Sequence, residues 1–392
     1  MMRKLSADYI FTSVSPPLKR GILILEDDGT VCDVIDTSGN LEEIANLEYY
    51  NGILIPGLVN CHCHLEYSWT ANSIPMHTGL PGFIERMISL RRNIPVGIES
   101  SCIEASDTMF ANGISLVGDI TGSSQLFNIK STGSIQYVNF IELLNTVDSP
   151  EQIIDLATKL VNASESSGMP AYLSPHAPYS VSSSLFKLIQ STKPNAVYAI
   201  HNQESNSENL WFRGEKNQLS DLFAKFKIES DPLHSAGISS LQTISEYFPK
   251  NSNILLIHNV ATSRSDIEFI DRIHDQTYWI LCPNSNLYIS NSLPDFNLFR
   301  SAKCNIALGT DGLGSNASLS ILDEILTIHS FAPDIPLEEL IKWGTINGAH
   351  ALKLNNKFGS FEKGKMPGVN LLQNIDLQNL VPTSTTSIKR LV

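Results

Sequence analysis

The chain has 392 residues, 42% of them apolar, and carries a formal charge of −13. Such a length holds one large barrel with a small extra unit, or two to three medium domains, and the composition is that of an ordinary globular protein. The acid excess argues against a nucleic-acid or anionic-membrane partner, which wants a basic face, and we read it as a source of solubility.

From the amino end, Met1-Met2-Arg3-Lys4-Leu5-Ser6-Ala7-Asp8-Tyr9 shows no long apolar run and no small-residue cleavage site. The expectation is therefore no secretory leader, no bilayer span and a cytoplasmic location. Six scattered cysteines with no Cys-x-x-Cys fit a reduced setting without a disulfide framework. Short β-prone segments at Tyr9–Thr12 and Gly21–Leu25, with a turn at Asp27-Asp28-Gly29, predict a small β-module.

From Gly52 onward the pattern becomes strand, loop, helix, repeated. The first strand runs into Pro56-Gly57-Leu58-Val59-Asn60-Cys61-His62-Cys63-His64-Leu65-Glu66. In extended chain, side chains two apart point the same way, so His62 and His64 project together and suit one cation. Helices are predicted near 80–93 and 97–111, then strands at Ile114–Asp119 and Tyr137–Glu142, and a helix over Glu151–Ala163. Further strands are expected at Ala171–His176, Ala196–His201, Ile254–His258, Tyr278–Cys282 and Asn305–Asp311, with helices over 319–330 and 336–352. Eight short apolar strands alternating with helices predict a distorted (β/α)8 TIM barrel, whose active sites lie at the carboxyl ends of the strands. A doubly wound open sheet is the alternative, but no Gly-x-Gly-x-x-Gly opens a helix. The tail after Phe358 returns to β-prone segments. We expect it to join the amino-terminal module as a discontinuous β-sandwich, 1–55 plus 356–392, beside a barrel over 56–355.

Ligand-type residues recur at the strand ends: His62, His64, His201, His258 and Asp311. Any one of them reads as a hydrogen-bonded core or loop residue; five at successive strand ends read as a site for a hydrolytic cation such as zinc or ferrous iron, between which imidazole does not choose.

With these motifs the sequence resembles the amidohydrolase superfamily, in its aminohydrolase and chlorohydrolase branch. The matching stretches are the His62/His64 segment, His201-Asn202-Gln203-Glu204, His258, Cys282-Pro283-Asn284-Ser285-Asn286, Leu308-Gly309-Thr310-Asp311-Gly312, Thr345–Leu352 and Gly359–Lys365. The resemblance implies that His62, His64, His201 and Asp311 bind one divalent metal, zinc ahead of iron. Asp311 would also hold and deprotonate a water, Glu204 would shuttle protons, and His258 would orient the water or polarise the reacting carbon. No lysine ends the fourth strand; Glu142 could bridge a second metal, which we do not expect. The His176-Ala177-Pro178-Tyr179 loop resembles that of deaminases acting on adenosine-like compounds and would place His176 on the substrate. Glu66 and Glu85 could meet sugar hydroxyls. Trp211 could stack on a flat ring or anchor the 205–230 excursion, and Ser285 and Asn286 could brace the rim. The segment Gly364-Lys365-Met366-Pro367-Gly368-Val369-Asn370 departs from the family's usual Gly-Lys-x-Ala-Asp and marks a divergent subgroup.

The resulting expectation is a metal-dependent deaminase of a purine, nucleoside or futalosine-like heterocycle, releasing ammonia to a metal-activated hydroxide. The alternatives are a chlorohydrolase or cyclic amide hydrolase of the same superfamily, and a non-catalytic barrel scaffold. The partner would be a small molecule, with a homodimer possible.

Overall fold

The computed structural model describes residues 2–192, 196–226 and 237–392. Its first five strands are Arg3–Ile10 (β1), Leu18–Lys19 (β2), Ile22–Leu25 (β3), Val31–Ile35 (β4) and Leu47–Pro56 (β5). Eight parallel strands follow: Leu58–Cys63 (β6), Ile114–Thr121 (β7), Gln136–Leu143 (β8), Ala171–Pro175 (β9), Val197–Asn202 (β10), Asn253–His258 (β11), Thr277–Leu281 (β12) and Asn305–Leu308 (β13). Val369–Asp376 (β14) and Val381–Arg390 (β15) end the chain.

The two ends of the chain meet in one seven-stranded sheet of order β15-β14-β5-β1-β3-β4, with β2 on β1. The tail therefore pairs with the amino-terminal module, as its composition predicts, through antiparallel β14 and β5. Leu5, Leu23, Leu25, Leu54, Val369 and Leu371 give this sheet an apolar core of its own.

At Gly57 the chain passes from that sheet into the barrel. A Cβ there would lie 2.0 Å from Ser115 Oγ and 2.1 Å from the Pro367 carbonyl, so only glycine fits. The single apolar run that reads as one strand from Gly52 is thus two strands, β5 and β6, in two different sheets.

The barrel strands form two parallel arcs, β6-β7-β8-β9 and β10-β11-β12-β13. Hydrogen bonds at the carboxyl ends close both gaps. The His201 amide donates to the His176 carbonyl (3.0 Å), and the Thr310 and Asp311 amides donate to the His62 carbonyl (both 3.0 Å). Strands covered on both faces read as continuous apolar runs, as these do. Val59, Leu116, Val138, Ala199, Leu255, Ile280 and Ala307 fill the interior.

Helices flank the barrel: Gly79–Arg91 (α1), Glu99–Ala111 (α2), Phe127–Thr132 (α3), Pro150–Ser166 (α4), Ser183–Ser191 (α5), Asn206–Phe212 (α6) and Gln218–Phe226 (α7). Of the 205–230 excursion, residues 227–230 lie outside the described residues. The helix expected over 336–352 is two, Leu337–Trp343 and Ile346–Ala351. Between them Gly344 packs so tightly that a Cβ would sit 3.0 Å from Ile321 Cγ2, and Thr345 turns its hydroxyl onto the Ile341 carbonyl. Among the described residues no helix is long and apolar enough to cross a membrane.

Candidate metal centre and reaction cavity

β6 carries His62 and, one residue past its end, His64. Their rings stand edge to face with centroids 4.9 Å apart. His201 closes β10 and His258 ends β11, with ring centroids 4.9 and 5.7 Å from His62. Asp311 lies three residues past β13 in left-handed backbone at φ 60, which turns its carboxylate back over the barrel mouth. Its Oδ1 is 3.4 Å from His62 Nε2 and 3.5 Å from His64 Nε2, and His64 Nε2 is 3.3 Å from His201 Nε2. Side chains from four strand ends thus converge on one point.

The donor set fits a divalent cation. Ligand atoms of His62, His64 and His201, and separately of His62, His258 and Asp311, all lie within 4.8 Å of one another. Both ring nitrogens of His62 and Nδ1 of His64 are buried without a hydrogen-bond partner. Buried polar atoms are normally satisfied, so orphaned imidazoles facing each other are the mark of an ion site. Burial pushes His64 and His258 down to about 3, and it also carries His201 well below its ordinary value. The rings are therefore neutral and offer lone pairs.

The surrounding groups aim these donors. His201 Nδ1 donates to the His176 carbonyl at 2.6 Å, leaving Nε2 for the centre. Asn286 meets His258 Nδ1 at 3.0 Å. Asp311 Oδ2 accepts the Ser285 and Ser315 hydroxyls at 2.7 and 2.6 Å, so Oδ1 is the oxygen left facing the histidines. Burial works to raise the Asp311 carboxyl, but the His62 contact and the electrostatics of the facing imidazoles carry it well below the usual range. Asn60 links the two edges of the closure: its amide donates to Thr310 Oγ1 (2.7 Å) and its oxygen accepts the Thr310 amide (3.1 Å).

Glu204 follows β10 across a sharp turn at Gln203, φ 46. Glu208 holds that turn by accepting the Gln203 amide at 3.0 Å. Glu204 Oε1 lies 3.9 Å from His258 Nε2. Burial, and then the charges of Asp311 and Glu208, push the Glu204 carboxyl well above the usual range.

A cavity of about 230 Å³ opens over the centre. Its floor is His64, His201, His258, Glu204 and Asp311, and one wall is an apolar face of α1, with Leu80, Phe83, Ile84, Met87 and Ile88. His176 also lines the cavity, where Ser180 Oγ meets its Nδ1 at 2.7 Å and burial lowers it to about 4. Glu142, at the end of β8, also lines the cavity, and burial raises its carboxyl to about 7. The structure therefore gathers His62, His64, His201, His258, Asp311, Glu204, His176 and Glu142. Three other expected residues stand elsewhere. Glu66 turns inward to accept the Gly122 amide at 3.0 Å. Glu85 is on the outer side of α1, paired with Lys225 of α7. Trp211 packs edge-on against Phe223, with ring centroids 5.1 Å apart. Neither the α1 wall nor Ser315 is readable from the sequence: the 80/84/87/88 spacing is that of any core-facing helix, and a serine four residues after an aspartate has no signature.

The Amidohydrolase family profile matches residues 53–386. An adenosine deaminase of Helicobacter pylori is 29% identical over 364 residues, spanning 87% of this chain and 86% of its own length. The solved structure of Helicobacter pylori aminofutalosine deaminase in complex with methylthio-coformycin superposes with a TM-score of 0.80 at 24% identity, covering 94% of this chain and 92% of the other. An adenosine deaminase from Xanthomonas campestris, solved with bound zinc, gives a TM-score of 0.73 at 17% identity, with 96% and 85% covered.

Proposed function

This chain belongs to the amidohydrolase family, and from that membership we propose that it is a metal-dependent hydrolytic deaminase acting on an amino-bearing nitrogen heterocycle, a purine nucleoside or futalosine-like compound. The observation that carries the reading is the pairing of a three-histidine, one-aspartate donor set with a buried Glu204 on the same cavity floor. The similarity to adenosine and aminofutalosine deaminases supports the substrate class.

His62, His64, His201 and Asp311 would hold one divalent ion, zinc ahead of iron, in line with the zinc of the Xanthomonas campestris relative. Such an ion would supply Lewis acidity and lower the pKa of a bound water to about 7. Glu204 gives its proton to a ring nitrogen, which makes the adjacent amino-bearing carbon electrophilic. Asp311, its other oxygen fixed by two serine hydroxyls, takes a proton from the water that adds to this carbon. As the carbonyl forms, the adduct's hydroxyl proton passes to Glu204, which hands it to the departing amine, and Asp311 then returns its own proton to Glu204. Over the cycle both water protons end on the ring nitrogen and on ammonia, and each carboxyl returns to its starting state. His258, braced by Asn286 and 3.9 Å from Glu204, would orient the adding water. His176 is the proposed ring contact. Glu66, Glu85 and Trp211 lie off the cavity, and we assign them no substrate contact.

The test is a panel of purines, nucleosides, pterins, triazines and cyclic amides scored for ammonia, chloride and carboxylate. Ammonia from a nucleoside is the expected result; chloride or carboxylate alone would move the reaction to another branch of the family. Glu204→Gln should lower turnover by about 10²–10⁴-fold with stoichiometric metal retained, and wild-type turnover in that variant would remove the shuttle assignment.

A further inference from the structure

At the opposite end of the barrel a second cavity, of about 270 Å³, lies between the amino-terminal ends of β7, β8 and β9 and the last strand of the terminal sheet. We propose that it is a binding site for a phosphate group, free or on a small metabolite. Arg390, Lys357, Ser115, Ser131, Ser134 and Gln136 supply its polar lining, and among the described residues no aspartate or glutamate lines it.

Two of its cations, Arg390 and Lys357, make no ion pair among the described residues. Arg390 is half-buried: its guanidinium lies 3.9 Å from the Phe110 ring centroid, Nη1 donates to the Ile114 carbonyl and Nη2 to Ser115 Oγ, both at 3.2 Å. Its buried Nε has no acceptor. Gly368 leaves it room, since a Cβ there would sit 2.7 Å from Nη2. Lys357 lies with its ammonium 5.4 Å from the Phe358 ring. Among the described residues neither Arg390 nor Lys357 forms an ion pair, whereas Lys130, which also lines the cavity, is neutralised from behind by Asp119.

A partly desolvated guanidinium with no ion-pair partner among the described residues is costly, and it is unexpected in a chain of net charge −13 with acids to spare. A phosphate group resolves both. Its oxygens accept several donors at once, and a fixed guanidinium with flanking hydroxyls and an amide matches that need. The residues that line the cavity at the start of β8 and the reaction cavity at its end, Gln136 and Glu142, are about 20 Å apart along the strand, so the site is separate from the proposed metal centre.

The experiment is calorimetric titration and thermal unfolding of the full, metal-loaded chain with inorganic phosphate, with glycerol 3-phosphate, and with chloride at matched ionic strength. Saturable binding of either phosphate, absent for chloride, is expected, and the tighter of the two identifies whether the free anion or the ester is the natural form. Affinity should fall about tenfold or more in Arg390→Met and several-fold in Lys357→Ala. Ammonia release measured in chloride should be the same in Lys357→Ala as in wild type. Should Arg390→Met not fold, Arg390→Lys and the exposed Lys357→Ala carry the test. A response no larger than that to chloride would overturn the proposal, and so would saturable binding that keeps its full affinity in Lys357→Ala and Arg390→Lys.

Discussion

The centre depends on single residues that never touch its point of convergence. Ser315 and Ser285 occupy one oxygen of Asp311 and so decide which oxygen faces the histidines. Ser315→Ala removes a 2.6 Å donor, and metal affinity should drop about 10–100-fold. Chelator competition measures it, and an unchanged affinity would show that Ser285 alone suffices. Glu208 offers a different test. Its Oε1 accepts the Gln203 amide, and burial raises its carboxyl to about 7 against the lowering effect of neighbouring hydrogen-bond donors. A carboxyl raised on folding binds its proton more tightly in the native state. Its contribution is therefore whole below the unfolded value near 4.5 and is lost as pH rises through about 7. Glu208→Gln has no such loss. Urea unfolding at pH 5 and pH 8 should show the variant gaining on wild type by on the order of 3 kcal/mol across that interval. A constant difference between the two proteins would refute the burial argument.

At the scale of elements, two joints place the donors. Gly57 separates β5 from β6, and any side chain there would drive into Ser115 Oγ and the Pro367 carbonyl. Gly57→Ala should destabilise the protein by about 2 kcal/mol or more, read as a lowered thermal midpoint. A midpoint within a degree of wild type would mean that the joint relaxes freely. The second joint is the closure of β13 onto β6, where the amides of Thr310 and Asp311 share the His62 carbonyl. This contact ties the first histidine strand to the aspartate. The apolar face of α1 then walls one side of the cavity, although that helix contributes none of the cluster's donors.

At the scale of the whole molecule, the metal and the fold are linked. A ligand that binds only the native state stabilises it by mass action, so stripping the ion should lower the thermal midpoint and abolish ammonia release together. Adding back zinc should restore both. A midpoint unmoved by chelation, with metal content shown to fall, would argue that the histidine cluster is held by its frame alone. The terminal sheet brings β15 against the barrel's amino-terminal end and contributes nothing to the reaction cavity, so the two cavities sit on different joints of one molecule.

The sequence by itself determined the strand and helix alternation, the pairing of the tail with the head, and the donors at the strand ends. These follow from short-range rules: apolar runs mark strands, and a ligand's chemistry is visible in its residue type. It could also list Glu66 and Glu85 as near the mouth, because they stand close in the chain to residues that are there, and it leaves Trp211 between a ring contact and an anchor for the 205–230 excursion. Only the tertiary structure decided that Glu66 turns to the Gly122 amide and Glu85 to Lys225, that the run at Gly52 splits between two sheets, and that α1 and Ser315 complete the site. A side chain's direction is set by backbone twist and by neighbours hundreds of residues away, and no local pattern encodes those.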